Sequence, residues 1–153
     1  MSQLILAFDA IKDPRDLAEV LHLAAGFGAE VHLIGASISE RHWKVLRKLR
    51  SWRPSLAGEP GRIAVTRWPA VAEWAQACRE RGCRIAGTVL EGGSRPWSGA
   101  KHRDTAVLFG EESRGLKAQD RAACDELWTL PLGDGGRFYT VGQAAALILG
   151  GWE

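Results

Sequence analysis

Six short, almost uninterrupted apolar runs recur along the chain, and segments with helical spacing or glycine- and proline-rich loops separate them. The runs are QLILAFD at 3–9, EVHLIG at 30–35, a brief run at 63–66, the segment 84–90, TAVLF at 105–109 and the segment 126–131. Runs of this length that do not alternate apolar with polar residues belong to strands covered on both faces, as in a parallel sheet. Strands alternating with helices then predict an α/β fold, a mostly parallel sheet with helices on both faces.

The intervening helices carry their own start and stop signals. In DPRDLAEVLHLAAGFG, Asp13 is placed as N-cap, Pro14 at the first helical position and Asp16 at the third. Leu17, Val20, Leu21 and Ala24 form the apolar stripe, and Gly26 and Gly28 end the helix. A second helix is expected over 39–50 with Ser39 as cap, then a loop over 51–62 rich in Pro and Gly. Further helices are expected over 69–81, 116–124 and 141–149.

At 153 residues, with 46% hydrophobic and 25% charged side chains, the chain has the composition of one folded domain, taken as 1–153. No apolar stretch approaches the ~18 residues of a membrane span, and MSQLILAFDAIKD has no basic leader pattern, so a soluble cytoplasmic protein is expected. Cys78, Cys83 and Cys124 lack CxxC spacing, and His22, His32, His42 and His102 lack metal-ligand spacing, so no metal site is expected. Dinucleotide, P-loop and hydrolase-elbow signatures are absent. The net charge of +2 decides nothing, and charge distribution has to.

That distribution is uneven. RHWKVLRKLRSWR at 41–53 gathers Arg41, Lys44, Arg47, Lys48, Arg50 and Arg53, with Trp43 and Trp52 among them. Cations for phosphates and rings for bases or ribose suit an RNA-binding surface, whereas a solvated helix face with Val45, Leu46 and Leu49 turned inward is the plainer reading.

The C-terminal half carries TVLEGG at 88–93, VLFGEESRGL at 107–116 and LPLGDGGRFYTVGQAAALIL at 130–149. These segments resemble the second and third motifs of the TrmH-like branch of the SPOUT methyltransferases, with Gly110, Glu112, Gly115 and Leu116 matching G-x-E-x-x-G-L. DPRDLAEVLHLAAGFGAEVHLIG resembles the first motif through Pro14, Phe27 and Gly28. In length and strand order the chain is most similar to the small tRNA wobble-nucleotide 2′-O-methyltransferases of that branch.

The resemblance implies the SPOUT fold with a C-terminal trefoil knot, S-adenosylmethionine held in the knot loops, and a homodimer that packs the first and last helices together. It implies methylation of RNA, tRNA above all, at the ribose 2′-hydroxyl. Cofactor contacts are then expected at Leu90, Glu91, Gly92, Phe109, Gly110, Glu112, Leu130, Leu132 and Tyr139. Arg114 and Thr140 would shape the nucleotide pocket beside Asp16 and His22, which stand where the family has Asn and its catalytic Arg. Asp16 also suits the helix dipole at the third position, and His22 also reads as a partly buried helix residue. An imidazole with an ordinary pKa of ~6.5 is nevertheless a competent base near neutral pH. Phe138-Tyr139-Thr140 and Gly142 replace the Ser-x-Asn and Ser of the third motif. Those changes keep two other readings in play: a degenerate domain that binds RNA without methylating it, and an enzyme that methylates a base nitrogen.

Overall fold

The computed structural model describes residues 3–52, 64–89, 95–96, 103–111, 115–130 and 139–152. In chain order these form β1 (Leu4–Asp9), α1 (Pro14–Phe27), β2 (Glu30–Ile34), α2 (Trp43–Trp52), β3 (Val65–Trp68), α3 (Val71–Glu80), β4 (Arg84–Val89), β5 (Arg95–Pro96), β6 (Thr105–Phe109), α4 (Ala118–Ala122), β7 (Glu126–Thr129) and α5 (Val141–Gly150). The seven strands make one sheet in the order β3-β2-β1-β6-β4-β7-β5, and every pairing is parallel. The expected mostly parallel α/β sheet is what the chain builds.

Alternate side chains of each strand feed two separate cores. Leu4, Leu6 and Phe8 of β1 join Val31, Leu33, Val107, Phe109, Trp128 and Leu130 under α1, α2 and α5. Ile5, Ala7, Ile85, Val89, Ala106 and Leu108 face α3 with its Val71, Trp74, Ala75 and Cys78. Helices therefore cover both faces, and the central strands have no polar side to show, which is why their sequences read as unbroken apolar runs.

Local boundaries follow hydrogen-bonding chemistry. Asp13 caps α1, its side chain accepting from the Arg15 amide at 2.8 Å. Gly26 lies within the helix, and Gly28 alone stops it, at φ 69° with its amide donating to the Ala24 carbonyl. Ser39 does not cap α2: its hydroxyl accepts from Arg41 N in a preceding turn, and His42 Nδ1 accepts from Lys44 N where the helix begins. β3 lies two residues later than expected, because pairing runs from Val31 opposite Val65 to Ile34 opposite Trp68. That register carries Trp68 far enough for its indole N–H to reach His32.

The amino end of the sheet is tied by a polar network. Trp68 Nε1 donates to His32 Nδ1 at 3.1 Å, so the His32 proton sits on Nε2, facing Glu30 Oε1 at 3.2 Å. Glu30 also accepts both Arg81 guanidinium N–H groups, at 3.1 and 2.6 Å. The Arg81 hydrogen bonds hold the Glu30 carboxyl at about 2 instead of its ordinary 4.5, while burial holds His32 below its usual value and neutral. A carboxyl held low stabilises the fold above its unfolded pKa and loses that contribution as pH falls. Glu30→Gln should cost about 1–2 kcal/mol at pH 7, allowing for the partly exposed guanidinium. Urea unfolding should show this deficit shrinking at pH 3.

Candidate functional site

All strands run the same way, so every βα connection that follows them opens at one carboxyl edge, the usual location of ligand sites in such sheets. β6 ends there at Phe109, whose ring stacks on Phe8 of β1 with centroids 4.9 Å apart and planes at 14°. Gly110 follows, and the chain returns to bridge Glu111 with Gly115. A Cβ at Gly110 would lie 2.3 Å from Gly115 backbone atoms, so only glycine admits this close return. Gly115 itself takes φ 64°, a region that favours glycine. Beside this turn Leu130 N bonds to Val89 O at 3.1 Å, which carries the β4–β7 pairing to the edge.

α5 lays its first turn against α1, where Gly142 meets Glu19. Thr140 Oγ1 accepts from Gln143 N at 3.1 Å and Gln143 Oε1 accepts from Thr140 N at 3.0 Å, a reciprocal capping box. The Thr140 hydroxyl oxygen is thus engaged in starting the helix, a Thr-x-x-Gln signal that is legible in the sequence. Gly142 meets Glu19 of α1, whose carboxylate Oε1 would lie 2.4 Å from any Cβ added there. Glycine in place of the family's serine therefore brings α1 and α5 together through Glu19, a residue no sequence motif singles out.

Phe109, Gly110 and Leu130 stand at or just past strand ends of this edge, and Tyr139 and Thr140 lead into α5. α1 runs from the edge back across the sheet, because it joins parallel strands. Asp16 stands in its first turn, half-buried, and His22 lies eight residues past Pro14, about 12 Å further along the axis. The His22 ring is tilted against Trp52 of α2, with centroids 5.4 Å apart. Leu90, Glu91, Gly92, Glu112, Arg114 and Leu132 lie outside the described residues, as does most of the 51–62 loop. The knot that the resemblance implies would involve loops that include those residues.

The basic helix behaves as its pattern predicts. Val45 and Leu49 are buried, while Lys44, Arg47, Lys48 and Arg50 are exposed, as is Arg41 just before the helix. Lys44 Nζ lies 5.5 Å from the Trp43 ring centroid, and Lys48 Nζ lies 5.9 Å from that of Trp52. A groove of about 920 Å³ between α2 and the start of α1 is lined by Lys44, Arg47 and Lys48 together with Lys12, Arg15 and Trp43. Arg41 and Arg50 lie outside it, and Lys12 and Arg15 are cations that sequence spacing did not connect with the helix.

A model of the SpoU rRNA Methylase family matches residues 3–150, and the chain belongs to that family. An uncharacterized tRNA/rRNA methyltransferase of Mycobacterium avium is 30% identical over 147 residues, covering 95% of this chain and 45% of that protein. The chain spans about half the length of the curated relatives it matches. Among solved structures, the SpoU methyltransferase AviRb of Streptomyces viridochromogenes, in complex with the cofactor AdoMet, superposes with TM-score 0.78 at 23% identity. That match covers 97% of this chain and 56% of that one. A structure described as giving insight into the 2-OH methylation of C/U34 on tRNA matches with TM-score 0.78 at 21% identity, covering 95% and 91%. The SPOUT, TrmH-like resemblance read from the motifs holds, and these structures share the fold.

A second concavity of about 450 Å³ opens beside the ends of β1 and β2, lined by Asp9, Lys117 and Asp120 among others. Asp120 is buried on α4, and its Oδ2 has no hydrogen-bond partner. Burial, then hydrogen bonding and repulsion from Asp9, push its carboxyl up to about 7, although Lys117 pulls the other way. Nothing local in the sequence announces the neighbour of Asp120, Asp9, 111 positions earlier. The folded state holds the Asp120 proton more tightly than the unfolded chain, whose carboxyl titrates near 3.8, so this contribution to stability is lost as pH rises from about 4 through 7. Asp120→Asn should remove that loss, and its thermal midpoint at pH 8 should exceed the parent's by a few degrees.

Proposed function

We propose that this chain is an S-adenosylmethionine-dependent RNA methyltransferase that modifies the ribose 2′-hydroxyl of a tRNA nucleotide. The observation that carries the proposal is the shared edge: the tight Gly110–Gly115 return and the strand ends at Val89, Phe109 and Leu130 lie on the same side as the cationic groove. Family membership and the AdoMet complex of a protein with this fold support the cofactor. The shared fold and comparable length of the structure tied to C/U34 methylation support the ribose and tRNA assignments.

The residues present suit the cofactor. The strand ends at Val89, Phe109 and Leu130 and the glycine turn at Gly110 bring main-chain groups to one edge, while the side chains of those three strand-end residues are buried in the two cores beneath it, a surrounding that suits a cofactor held by backbone contacts. When bound, S-adenosylmethionine supplies an electrophilic methyl group on sulfur. The protein's task is then largely positioning, because a ribose hydroxyl is a poor nucleophile that must stand in line with the methyl carbon. Phe109 and Gly110 would set the cofactor's place, and Thr140 and Asp16 would border the nucleotide. Two groups can take the hydroxyl proton, the His22 imidazole or an RNA phosphate. Methylation unchanged in His22→Ala assigns that step to the phosphate, and a loss of about 10²-fold or more assigns it to His22. A homodimer that joins α1 and α5 of two copies is part of the same proposal, as is a single domain over 1–153.

Calorimetric titration with S-adenosylhomocysteine tests the reading. Micromolar binding at one site per chain is expected, and Gly110→Ala, which drives a Cβ into Gly115, should weaken it at least tenfold. No binding into the millimolar range would instead favour the degenerate RNA-binding domain. Methylated tRNA should carry a linkage resistant to alkali, because a 2′-O-methyl group removes the nucleophile of backbone cleavage. An alkali-labile product would place the methyl on a base.

A further inference from the structure

The groove between α2 and the start of α1 holds two kinds of surface that seldom meet by chance. Trp43 is 60% exposed, the most exposed large hydrophobic side chain among the described residues. Around it stand Lys12, Arg15, Lys44, Arg47 and Lys48, and the acid lining the groove, Asp13, is already engaged as the α1 cap and by Arg15 at 3.4 Å. His42 supports the aromatic side, its ring stacked with Trp43 at 6.1 Å while its Nδ1 accepts from Lys44 N.

An isolated cationic patch would suit any polyanion, but an exposed indole within it selects for a flat partner. A base in a duplex keeps both faces in its own stack, whereas an unpaired base has a face to give. A second copy of the chain is disfavoured here, because a two-fold contact would set these cations against themselves. The groove's position also fits. α1 starts where β1 ends, α2 follows β2, and the cofactor edge at Phe109 and Leu130 lies on β6 and β7, with β1 next to β6. Strand spacing sets the two apart by roughly 10–20 Å, within reach of nearby nucleotides of one strand.

We propose that this groove holds an unpaired nucleotide of the substrate RNA, its base on the Trp43 ring and its flanking phosphates on Lys44, Arg47 and Lys48. The proposal rests on the RNA reading above and adds to it a second subsite, apart from the nucleotide being methylated.

The test is fluorescence anisotropy with a labelled single-stranded oligouridylate and a blunt RNA duplex of equal length. Trp43→Ala should weaken single-strand binding about tenfold or more and leave duplex binding nearly unchanged, and Trp43→Phe should keep most of the affinity. Lys48→Gln should weaken both probes and lower the salt slope by about one. S-adenosylhomocysteine titration of Trp43→Ala should match the parent, which shows the fold intact. Parent-like single-strand binding by Trp43→Ala, or equal loss on both probes, overturns the stacking site while RNA binding stands. Absence of RNA binding by the parent protein overturns both.

Discussion

The pairing of β1 with β6 is the contact on which the rest of the molecule depends. Leu4 lies opposite Thr105 and Phe8 opposite Phe109, so about a hundred residues of chain close into a loop before one hydrogen bond of this ladder can form. The pairing makes β1 central, welds the N-terminal βαβ unit to the C-terminal half, and brings Phe8 onto Phe109 at the carboxyl edge. Such long-range closure costs entropy early and is repaid only by burial, here two cores filled from alternate faces of the same strands.

Glycines decide how closely the layers meet. Gly87 of β4 lies under Leu116, Cys124 and Leu127, all within 3.0 Å of where a Cβ would stand. Gly110 admits the return of Gly115, and Gly142 admits the Glu19 carboxylate between α1 and α5. None of the three has a positive φ, so each is required by close approach rather than by backbone conformation. Gly110 borders the proposed cofactor position, and Gly142, at the α1–α5 contact, lies two residues past Thr140, which is proposed to border the nucleotide.

Charge is arranged by place. At the amino end of the sheet, Glu30, His32 and Arg81 are consumed in a partly buried network. At the carboxyl edge the Asp9–Asp120 pair is sheltered from water, and the cations of α2 face outward with Lys12 and Arg15. A chain of nearly balanced charge thus gathers five of its bases, Lys12, Arg15, Lys44, Arg47 and Lys48, in one groove, which suits a phosphate backbone better than the net charge suggests.

By itself the sequence determined the alternation of strands and helices, the Asp13 and Gly28 ends of α1, the inward Val45 and Leu49 of α2, and the family through Gly110, Gly115 and Leu116. Each of these is a local pattern: periodicity, a cap or a motif that neighbouring residues complete. It misplaced Ser39 as a cap, although the bond that replaces it, from Lys44 N to His42 Nδ1, is itself local, and it misplaced β3 by two residues because the Val31–Val65 register arises from a pairing between strands distant in sequence. Only the tertiary structure decided that Lys12 and Arg15 join the basic helix, that Glu19 fills the space at Gly142, and that burial together with Asp9 raises the pKa of Asp120. Those pairs are distant in sequence and lack a shared period, so a proton affinity or a cationic groove exists only once β1, α1, α2, α4 and α5 have been brought to their places around the sheet.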